Sequence, residues 1–392
     1  MEQDALHLLQ QLNAQIDAIL ISGDIAYRAD PEEYSVAAEW LDSLANKVGC
    51  SQKNVFTVPG NHDVDRSIVG NDILVQSVRN NVLGAKLNER SERLFGVLHN
   101  SETGKALMRP LEAYNEFAAR YECSTYLPKP FWIFDLEIEP GFFLRMYGLN
   151  SAIMSGPEDV EGKLFLGDIQ TAFKEEEGVA CLAMMHHPPE WLADKDTVDD
   201  ALNNGARIQL VGHKHRNRCL LSQFGVRLMA GALHPDRREL DWEPGYNILS
   251  VRVESGDKTQ ELVIESHIRV LQQAPDQFVA KLDQSQSDVW VKRYPLKGKK
   301  TAESRTGEAQ TGTKSTTEDN RPTMTQKSRE LVFRFWNLKP SQRRYIASEL
   351  ALLAEGDLVL PEHERYRRAF MNARDEGKIG DLERAIYNAE ES

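Results

Sequence analysis

The sequence predicts an α/β domain followed by a small all-α domain, and three observations support this. Short apolar runs alternate with helical stretches over the first two thirds of the 392 residues, as in α/β proteins. Large apolar residues disappear between Thr301 and Thr323, which is typical of a linker. They return at helical spacing from Leu331 to Ile386. The expected segments are the α/β domain at 1–270, a linker at 271–325 that is disordered at least over 301–323, and the helical domain at 326–392.

The first two strands are predicted on either side of a helix. The run Asp17–Ser22 has an apolar centre and ends at Gly23, as a buried strand does. A helix should begin at Asp30-Pro31, because aspartate caps helices and proline fits their first turn. The next strand is Asn54–Val58, which Pro59 ends. A strand, helix and strand at this spacing predict a βαβ unit with parallel pairing.

The remaining elements are predicted from the polarity of each segment and from the proline and glycine residues that interrupt strand-like runs. Residues 66–128 are polar and mostly helical, and we interpret them as an insertion that covers the functional site of the α/β domain. Pro140-Gly141 separates two strand-like runs within 131–149, which predicts a hairpin. Further strands are predicted at Val179–Met185, Ile208–Val211, Val226–Met229, Tyr246–Val253 and Glu261–Ile268.

Composition favours a globular cytoplasmic protein, with 41% hydrophobic and 27% charged residues. No run approaches the roughly 18 apolar residues that span a bilayer, and the N-terminus lacks the plan of a signal peptide, so no membrane partner is expected. The four cysteines have no CxxC spacing, which argues against a disulfide framework.

The charge pattern gives little support for nucleic-acid binding. The net charge is −13, which does not favour broad affinity for a phosphate backbone. The basic run from Lys292 to Lys300 could contact nucleic acid, but the solvated edge of a linker is the favoured interpretation. Nucleic acid therefore stays a possible partner that is not favoured.

Four polar motifs each follow a predicted strand. They are Gly23-Asp24, Gly60-Asn61-His62-Asp63, His186-His187-Pro188-Pro189 and Gly212-His213-Lys214-His215. Ligands of open α/β sheets gather beyond the carboxyl ends of strands, so these motifs should converge. A carboxylate, an amide oxygen and several imidazoles suit Mn, Fe, Zn or Ni better than Ca or Mg.

This order of motifs resembles the calcineurin-like metallophosphoesterase superfamily over 1–270. Within it, the chain looks most like the bacterial cyclic-nucleotide phosphodiesterase-like group, because of Val58–Asp63 and His186–Pro189. The resemblance implies a four-layer αββα sandwich that holds two divalent metal ions.

The resemblance also implies which side chains bind these metals. Asp24 would bridge both ions. Asn61, His186 and His213 would bind the second ion, and His215 would bind the first.

Two further residues receive catalytic roles from the resemblance. His62 would act near the leaving group as a general acid, and Asp63 would orient it. His187 is expected to be a bystander or to face the substrate, and His234 could face either substrate or solvent.

One departure from the family pattern concerns the first metal. The family begins with Asp-x-His on its first strand, whereas Asp4 and His7 have the wrong spacing and lie in a helical pattern. We therefore expect the α/β domain to be N-terminally incomplete, with a misplaced start, and the first metal to keep only Asp24 and His215.

The leading functional hypothesis is a metal-dependent hydrolase of a phosphodiester, such as a nucleotide or cyclic nucleotide. A hydroxide bridging the two metals would attack the phosphorus. A nuclease acting on DNA or RNA is one alternative. Another is a degenerate phosphoesterase that serves as a scaffold through its helical domain, which the missing Asp-x-His favours.

The helical domain resembles small adaptor domains of bacterial conflict and signalling proteins. The likeness rests on Leu338-x-Pro340, a Glu/Arg-rich helix from Glu362 to Arg374, and the following Gly377-Lys378. It implies a protein partner bound through 326–392.

Overall fold

The computed structural model describes residues 1–233, 243–255, 260–296 and 326–391 of the chain. The strands are β1 (Ile19–Ile21), β2 (Val55–Thr57), β3 (Trp132–Glu139), β4 (Phe142–Gly148), β5 (Val179–Met185), β6 (Ile208–Val211), β7 (Arg218–Leu221), β8 (Val226–Met229), β9 (Gly245–Ser255), β10 (Gln260–Gln272), β11 (Gln277–Ala280) and β12 (Trp290–Leu296). The helices are α1 (Glu2–Leu12), α2 (Pro31–Val48), α3 (Arg66–Asn71), α4 (Ile73–Leu83), α5 (Leu87–His99), α6 (Ser101–Met108), α7 (Glu112–Ala119), α8 (Lys195–Gly205), α9 (Gln326–Asn337), α10 (Pro340–Glu349), α11 (Glu362–Asp375) and α12 (Ile379–Glu390).

The α/β domain is built in four layers, as expected. A six-stranded sheet has the order β3-β4-β5-β6-β8-β7, and a second layer combines the pair β1-β2 with the sheet of β9 to β12. The main core lies between these layers and joins Phe56 and Phe134 to Leu262 and Ile264. The helices α1 and α2 pack on β1 and β9, and α8 covers the far face of the six-stranded sheet.

The predicted βαβ unit and hairpin are confirmed. Strands β1 and β2 pair in parallel, with Leu20 opposite Phe56. Between them, α2 begins at Pro31 because the Asp30 side chain accepts a hydrogen bond from the Glu32 backbone N–H, and the helix ends at Gly49 in the left-handed conformation (φ 72°). Strands β3 and β4 pair antiparallel around Pro140-Gly141. The region 66–128 is helical and contains α3 to α7.

The start of the linker was predicted too early. Residues 277–296, expected to be linker, form β11 and β12, and both pair with β10 in the second sheet. The side chain of Tyr294 in β12 is buried in the main core, while Arg293 pairs with Glu254 and Glu261 of the neighbouring strands. The predicted disorder at 301–323 lies outside the described residues.

The helical domain has its own core and also packs on the α/β domain. Helices α9 to α12 bury Phe335, Ile346, Tyr366 and Ile386 against one another. Helices α9 and α11 both make hydrogen bonds to the α/β domain.

The side chain of Arg329, in α9, is fully buried in the α/β domain. Its guanidinium donates hydrogen bonds to the backbone carbonyls of Lys53 and Val55, and it lies 3.9 Å from the centre of the Phe56 ring. A buried, flat cation on an aromatic face is a favourable contact. A second contact is made at α11, where the His363 N–H donates to Glu116 Oε2 over 3.0 Å. The arginine contacts attach α9 to strand β2, which leads into the second polar motif.

Among the described residues, we find no helix that is both long and apolar enough to span a membrane. The four cysteines are free and buried.

Candidate metal centre

The four polar motifs meet at one edge of the sandwich. Gly23-Asp24 follows β1 and Gly60–Asp63 follows β2, so these two motifs leave one sheet side by side. His186 follows β5 and His213 follows β6, and these parallel strands belong to the six-stranded sheet. The carboxyl ends of both strand pairs therefore face a common site.

Four of the predicted ligand side chains lie within contact distance of one another. Asn61 Oδ1 lies 3.0 Å from His186 Nε2 and 3.0 Å from His213 Nδ1. His186 Nε2 is also 3.2 Å from Asp24 Oδ2 and 3.3 Å from His213 Nδ1. Asn61 and His186 are buried. One amide oxygen, one carboxylate oxygen and two ring nitrogens thus surround one small volume.

The protonation of His186 follows from its other contact. Its Nδ1 lies 2.8 Å from the Ser22 carbonyl oxygen, and a carbonyl oxygen only accepts, so Nδ1 carries the hydrogen. In the neutral ring Nε2 is then an acceptor that faces Asn61 Oδ1, another acceptor. Two acceptors at 3.0 Å require a positive centre between them, which can be a proton on Nε2 or a metal ion.

The charges of the site agree with this requirement. Burial alone would lower the pKa of His186, but the nearby Asp24 carboxylate outweighs it and raises this pKa above its usual 6.5. Burial would raise the pKa of Asp24, and His186 instead holds it well below its ordinary value. Burial and the charge of His186 lower the pKa of His213 to about 3. The site therefore holds an ionised carboxylate and a neutral His213, both suited to binding a cation.

Two glycines allow the motifs to approach so closely. A Cβ at Gly60 would lie 2.1 Å from Asp24 Oδ1, and one at Gly23 would lie 2.6 Å from His186 Nδ1. Gly23 also has a φ of 96°, which favours glycine. Side chains at either position would separate the ligand-bearing loops.

Three non-glycine residues of the motifs have left-handed backbone conformations. They are Asp24 (φ 55°), His213 (φ 69°) and His215 (φ 49°). Such conformations cost of the order of 1–3 kcal/mol each and cluster at functional sites, where the surrounding structure maintains them. The loops are thus held in shapes that turn their side chains inward.

Asp63 differs from its expected role. It is fully buried, and its carboxylate accepts hydrogen bonds from the backbone N–H groups of Ile25, Ala26 and Gly60 and from the Tyr34 hydroxyl. Burial, followed by the charge of Asp24, raises the pKa of Asp63 to about 6. Asp63 therefore joins the first motif to the second, rather than orienting His62.

The carbonyl of Tyr27 orients His62 instead. It accepts a hydrogen bond from His62 Nδ1 over 2.9 Å, so Nδ1 carries a hydrogen and Nε2 is the other functional atom of the ring. The rings of Tyr27 and His62 stack with their centres 5.0 Å apart. The backbone N–H of His62 donates to Asp24 Oδ1 over 3.0 Å, which ties this residue to the site. A backbone carbonyl leaves no mark in a sequence motif, so sequence reasoning missed it.

His187 lies beside the predicted ligands His186 and His213. One ring nitrogen from each of His186, His187 and His213 lies within 4.8 Å of the other two. The Ser151 Oγ lies 3.1 Å from His187 Nδ1 and accepts the His187 backbone N–H over 2.9 Å. Ser151 was not singled out from the sequence, because a lone serine after a strand carries no signal.

The other two predicted histidines are less closely defined. His215 is half-buried in the loop of His213, and its charge contributes to the lowered pKa of His213, but it is not one of the three clustered histidines. Its role as a ligand stays a prediction. His234 lies outside the described residues.

The donor set fits a divalent transition metal. Imidazole, carboxylate and amide donors together suit Mn, Fe, Zn or Ni, while Mg and Ca prefer oxygen alone. A cation would also satisfy the facing acceptors Asn61 Oδ1 and His186 Nε2.

A family model matches the part of the chain that carries this site. The model of the calcineurin-like phosphoesterases matches residues 2–217, which is more than half of the chain. The chain therefore belongs to the calcineurin-like phosphoesterase family. A second model, that of the GTPase-associated adaptor domain, matches residues 327–388.

Individual relatives are more distant. The chain is 33% identical over 75 residues to the uncharacterized metallophosphoesterase-like protein YydB of Bacillus subtilis (strain 168), which covers 19% of the chain and 15% of that protein. Among solved structures, a Vps29 double mutant from Entamoeba histolytica aligns over 75% of this chain and 89% of that chain, at 13% identity. Its TM-score of 0.25 is too low to support any conclusion.

Proposed function

We propose that this chain is a metal-dependent phosphodiesterase whose cation is bound by Asp24, Asn61, His186 and His213. The observation that carries this proposal is the approach of Asn61 Oδ1 to 3.0 Å from both His186 Nε2 and His213 Nδ1. His186 Nε2 faces this oxygen as a second acceptor because the hydrogen of the ring is on Nδ1, and a cation between the two buried acceptors would satisfy both.

The bound cation would lower the pKa of a water nucleophile and neutralise charge on the phosphoryl oxygens. The protein's own side chains would have three tasks. The first two are to hold the cation and to fix the loops that carry its ligands. Asp24 supplies the negative charge that holds the cation, and Asp63 fixes the loop of Asp24 against that of Asn61 through the Ile25, Ala26 and Gly60 N–H groups.

The third task falls to His62, which would protonate the leaving group. Its Nδ1–H is held by the Tyr27 carbonyl, so Nε2 is the atom that would carry a second proton and pass it to the leaving group. The residue is half-buried, and its backbone N–H donates to Asp24 Oδ1, which keeps it beside the site. A nucleotide or cyclic nucleotide, as in the phosphodiesterase-like group that the motifs resemble, is the proposed substrate class.

The test compares the Asn61→Ala variant with the wild type. We expect this variant to lose both bound metal and manganese-stimulated hydrolysis of bis(p-nitrophenyl) phosphate. The reason is that it removes the amide oxygen that both His186 and His213 approach, which is the proposed metal ligand. Metal content is measured by mass spectrometry, and the monoester p-nitrophenyl phosphate is assayed in parallel. Asn203→Ala, on α8, is the matched control.

Full metal content and activity in Asn61→Ala would contradict the proposed site. Faster wild-type hydrolysis of the monoester would contradict the diester preference. Cleavage of single- or double-stranded DNA or RNA, assayed with the same protein, would favour a nuclease.

We also propose that the helical domain binds a protein partner, as the name of the matching adaptor-domain family suggests. The exposed aromatic side chains Tyr345 and Tyr387 of α10 and α12 support this, since they lie outside the core formed by these helices.

A further inference from the structure

We propose that His187 is a further ligand of the divalent cation at this centre, an assignment that rests on the metal site proposed above. The side chain is expected to bind the cation through Nε2 while Ser151 holds Nδ1. The donor set would then be Asp24, Asn61, His186, His213 and His187.

The first support is the state of His187 Nε2. The His187 side chain is fully buried, and Nε2 has no hydrogen-bond partner within the described part of the chain. An unpaired polar atom inside a protein is unfavourable because it has lost its hydrogen bonds to water. By contrast, both ring nitrogens of His186 have partners, namely the Ser22 carbonyl and Asn61 Oδ1. A cation bound at His187 Nε2 would remove this cost.

The second support is the position of the ring. His187 contacts His186 and His213, with ring centres 4.8 Å and 4.7 Å away. One ring nitrogen from each of the three residues lies within 4.8 Å of the other two. Imidazole nitrogens bind zinc at about 2.0–2.1 Å, so two of them on opposite sides of one ion are about 4.2 Å apart. A small inward movement of the rings therefore suffices for shared coordination.

The third support is Ser151, which can fix the required tautomer. Its oxygen accepts the His187 backbone N–H over 2.9 Å and has a second lone pair for His187 Nδ1–H at 3.1 Å. With the hydrogen on Nδ1, Nε2 presents a lone pair. Ligating histidines commonly donate their other N–H to an acceptor that orients the ring, and Ser151 is placed to be that acceptor.

Ring packing on the outer side supports the same arrangement. The Trp191 ring lies 3.9 Å from that of His213 and 6.0 Å from that of His187. It covers the two imidazoles on one side and limits the directions in which they can move.

The experiment measures metal affinity by competition with a chromophoric chelator, using Zn²⁺ and Mn²⁺ and no substrate. We expect His187→Ala to raise the dissociation constant by at least about tenfold, as the loss of groups at metal sites does. Ser151→Ala should raise it less, and Ser151→Thr, which keeps the hydroxyl, should restore it. His267→Ala, a buried histidine in β10, is the matched control and should bind as the wild type does.

A dissociation constant for His187→Ala within about twofold of the wild type would overturn the proposal, since a lost ligand costs at least about tenfold. The Asn61→Ala variant distinguishes failure of the His187 assignment from failure of the metal centre itself. If Asn61→Ala loses metal while His187→Ala keeps it, only the assignment of His187 fails. If both keep it, the metal centre itself fails and the assignment with it.

A second measurement detects coordination in the wild-type protein, and a variant serves only to assign the signal. A spin-active isotope of cadmium is added to histidine-labelled protein, and the nitrogen NMR signals are followed. Coordination splits the signal of the bound nitrogen through the nuclear spin of the metal. We expect splitting of the His187 Nε2 signal, assigned with His187→Asn, and an unsplit signal at saturating cadmium would refute the proposal.

Discussion

Asn61 is the residue on which the geometry of the centre depends. Its Oδ1 is the atom that both His186 and His213 approach, and its own position is set by the turn at Gly60. Next to it, His62 points its ring the other way, toward Tyr27. In the proposed mechanism, adjacent residues of one motif would therefore have two different tasks, holding the cation and transferring a proton.

The separate position of His62 leads to a prediction for turnover. We expect His62→Ala to retain bound metal and to lower kcat for a phosphodiester by about 10²–10⁴-fold, the usual contribution of a general acid. The loss should be smaller for a substrate whose leaving group is a good one, since such a group needs no proton. Metal content and kcat are measured for a p-nitrophenyl and an alkyl diester. Equal losses for both substrates would argue against the acid role.

The sequence predicted which residue types come together, but not every contact between them. Asp24, Asn61, His186 and His213 were predicted to converge because each follows a strand, and strand ends share one edge. The contact of His62 with a Tyr27 backbone atom carries no sequence signal. His187 was expected to be a bystander or to face the substrate, and its place beside His186 and His213 depends on the turn that follows the end of β5 at Met185, which the sequence does not define.

At the scale of elements, the turns after β1 and β2 set how closely the motifs approach. The backbone of Gly60 lies against the side chain and backbone N–H of Asp24, so no space exists for a Cβ. Hydrogen bonds from backbone N–H groups of both turns to the Asp63 carboxylate also hold the turns together.

Gly60→Ala should therefore damage both stability and metal binding. The added methyl group would overlap Asp24 Oδ1 and N, and relieving this overlap would separate the loops, at a cost of about 1–3 kcal/mol. Gly70→Ala, in α3, is the control, because no atom lies within 4 Å of the place its methyl group would occupy and alanine favours helix. Urea unfolding and metal affinity are measured for both. Wild-type values for Gly60→Ala would show that the turns have room to adjust.

The elements that sequence reasoning missed are the short or charged ones. Strand β12 contains Lys292, Arg293 and Pro295, and its charges suggested a linker edge. Pairing with β10 over seven residues, from Ser266↔Trp290 to Gln260↔Leu296, makes it a strand all the same. The charge of Arg293 is neutralised by Glu254 and Glu261 across the sheet, a long-range partnership that local composition does not reveal.

At the scale of the whole molecule, the helical domain is attached by Arg329 beside Glu122. One carboxyl oxygen of Glu122 is buried without a hydrogen-bond partner in the described part of the chain. Burial raises the pKa of Glu122 from 4.5 to about 7, although the charge of Arg329 opposes this. Sequence reasoning could not find this contact, because Ser328-Arg329-Glu330 has the composition of an exposed helix start.

The raised pKa of Glu122 predicts a dependence of stability on pH. Between pH 4.5 and about 7 the folded state keeps a proton that the unfolded state releases, so the free energy of unfolding falls as pH rises through this window. The loss is up to about 3 kcal/mol. Glu122→Gln, which mimics the protonated acid, should remove this component and be more stable than the wild type at about pH 8, above both pKa values.

The measurement is urea unfolding of both proteins from about pH 4.5 to about pH 8. Glu112→Gln, at an exposed position of α7, is the control and should run parallel to the wild type. A constant difference between Glu122→Gln and the wild type across this range would show that Glu122 does not titrate there.

The contact of Arg329 with β2 also bears on where a partner bound to the helical domain would lie relative to the proposed metal site. The Val55 carbonyl that it contacts is at the start of β2 and the Lys53 carbonyl lies just before that strand, so α9 is attached to the strand that leads into the Asn61 motif. A protein bound to the outer face of the helical domain would be held at a fixed distance and orientation relative to the proposed metal site. Such a partner would then restrict the proposed hydrolysis to phosphodiesters that reach the metal site from one direction.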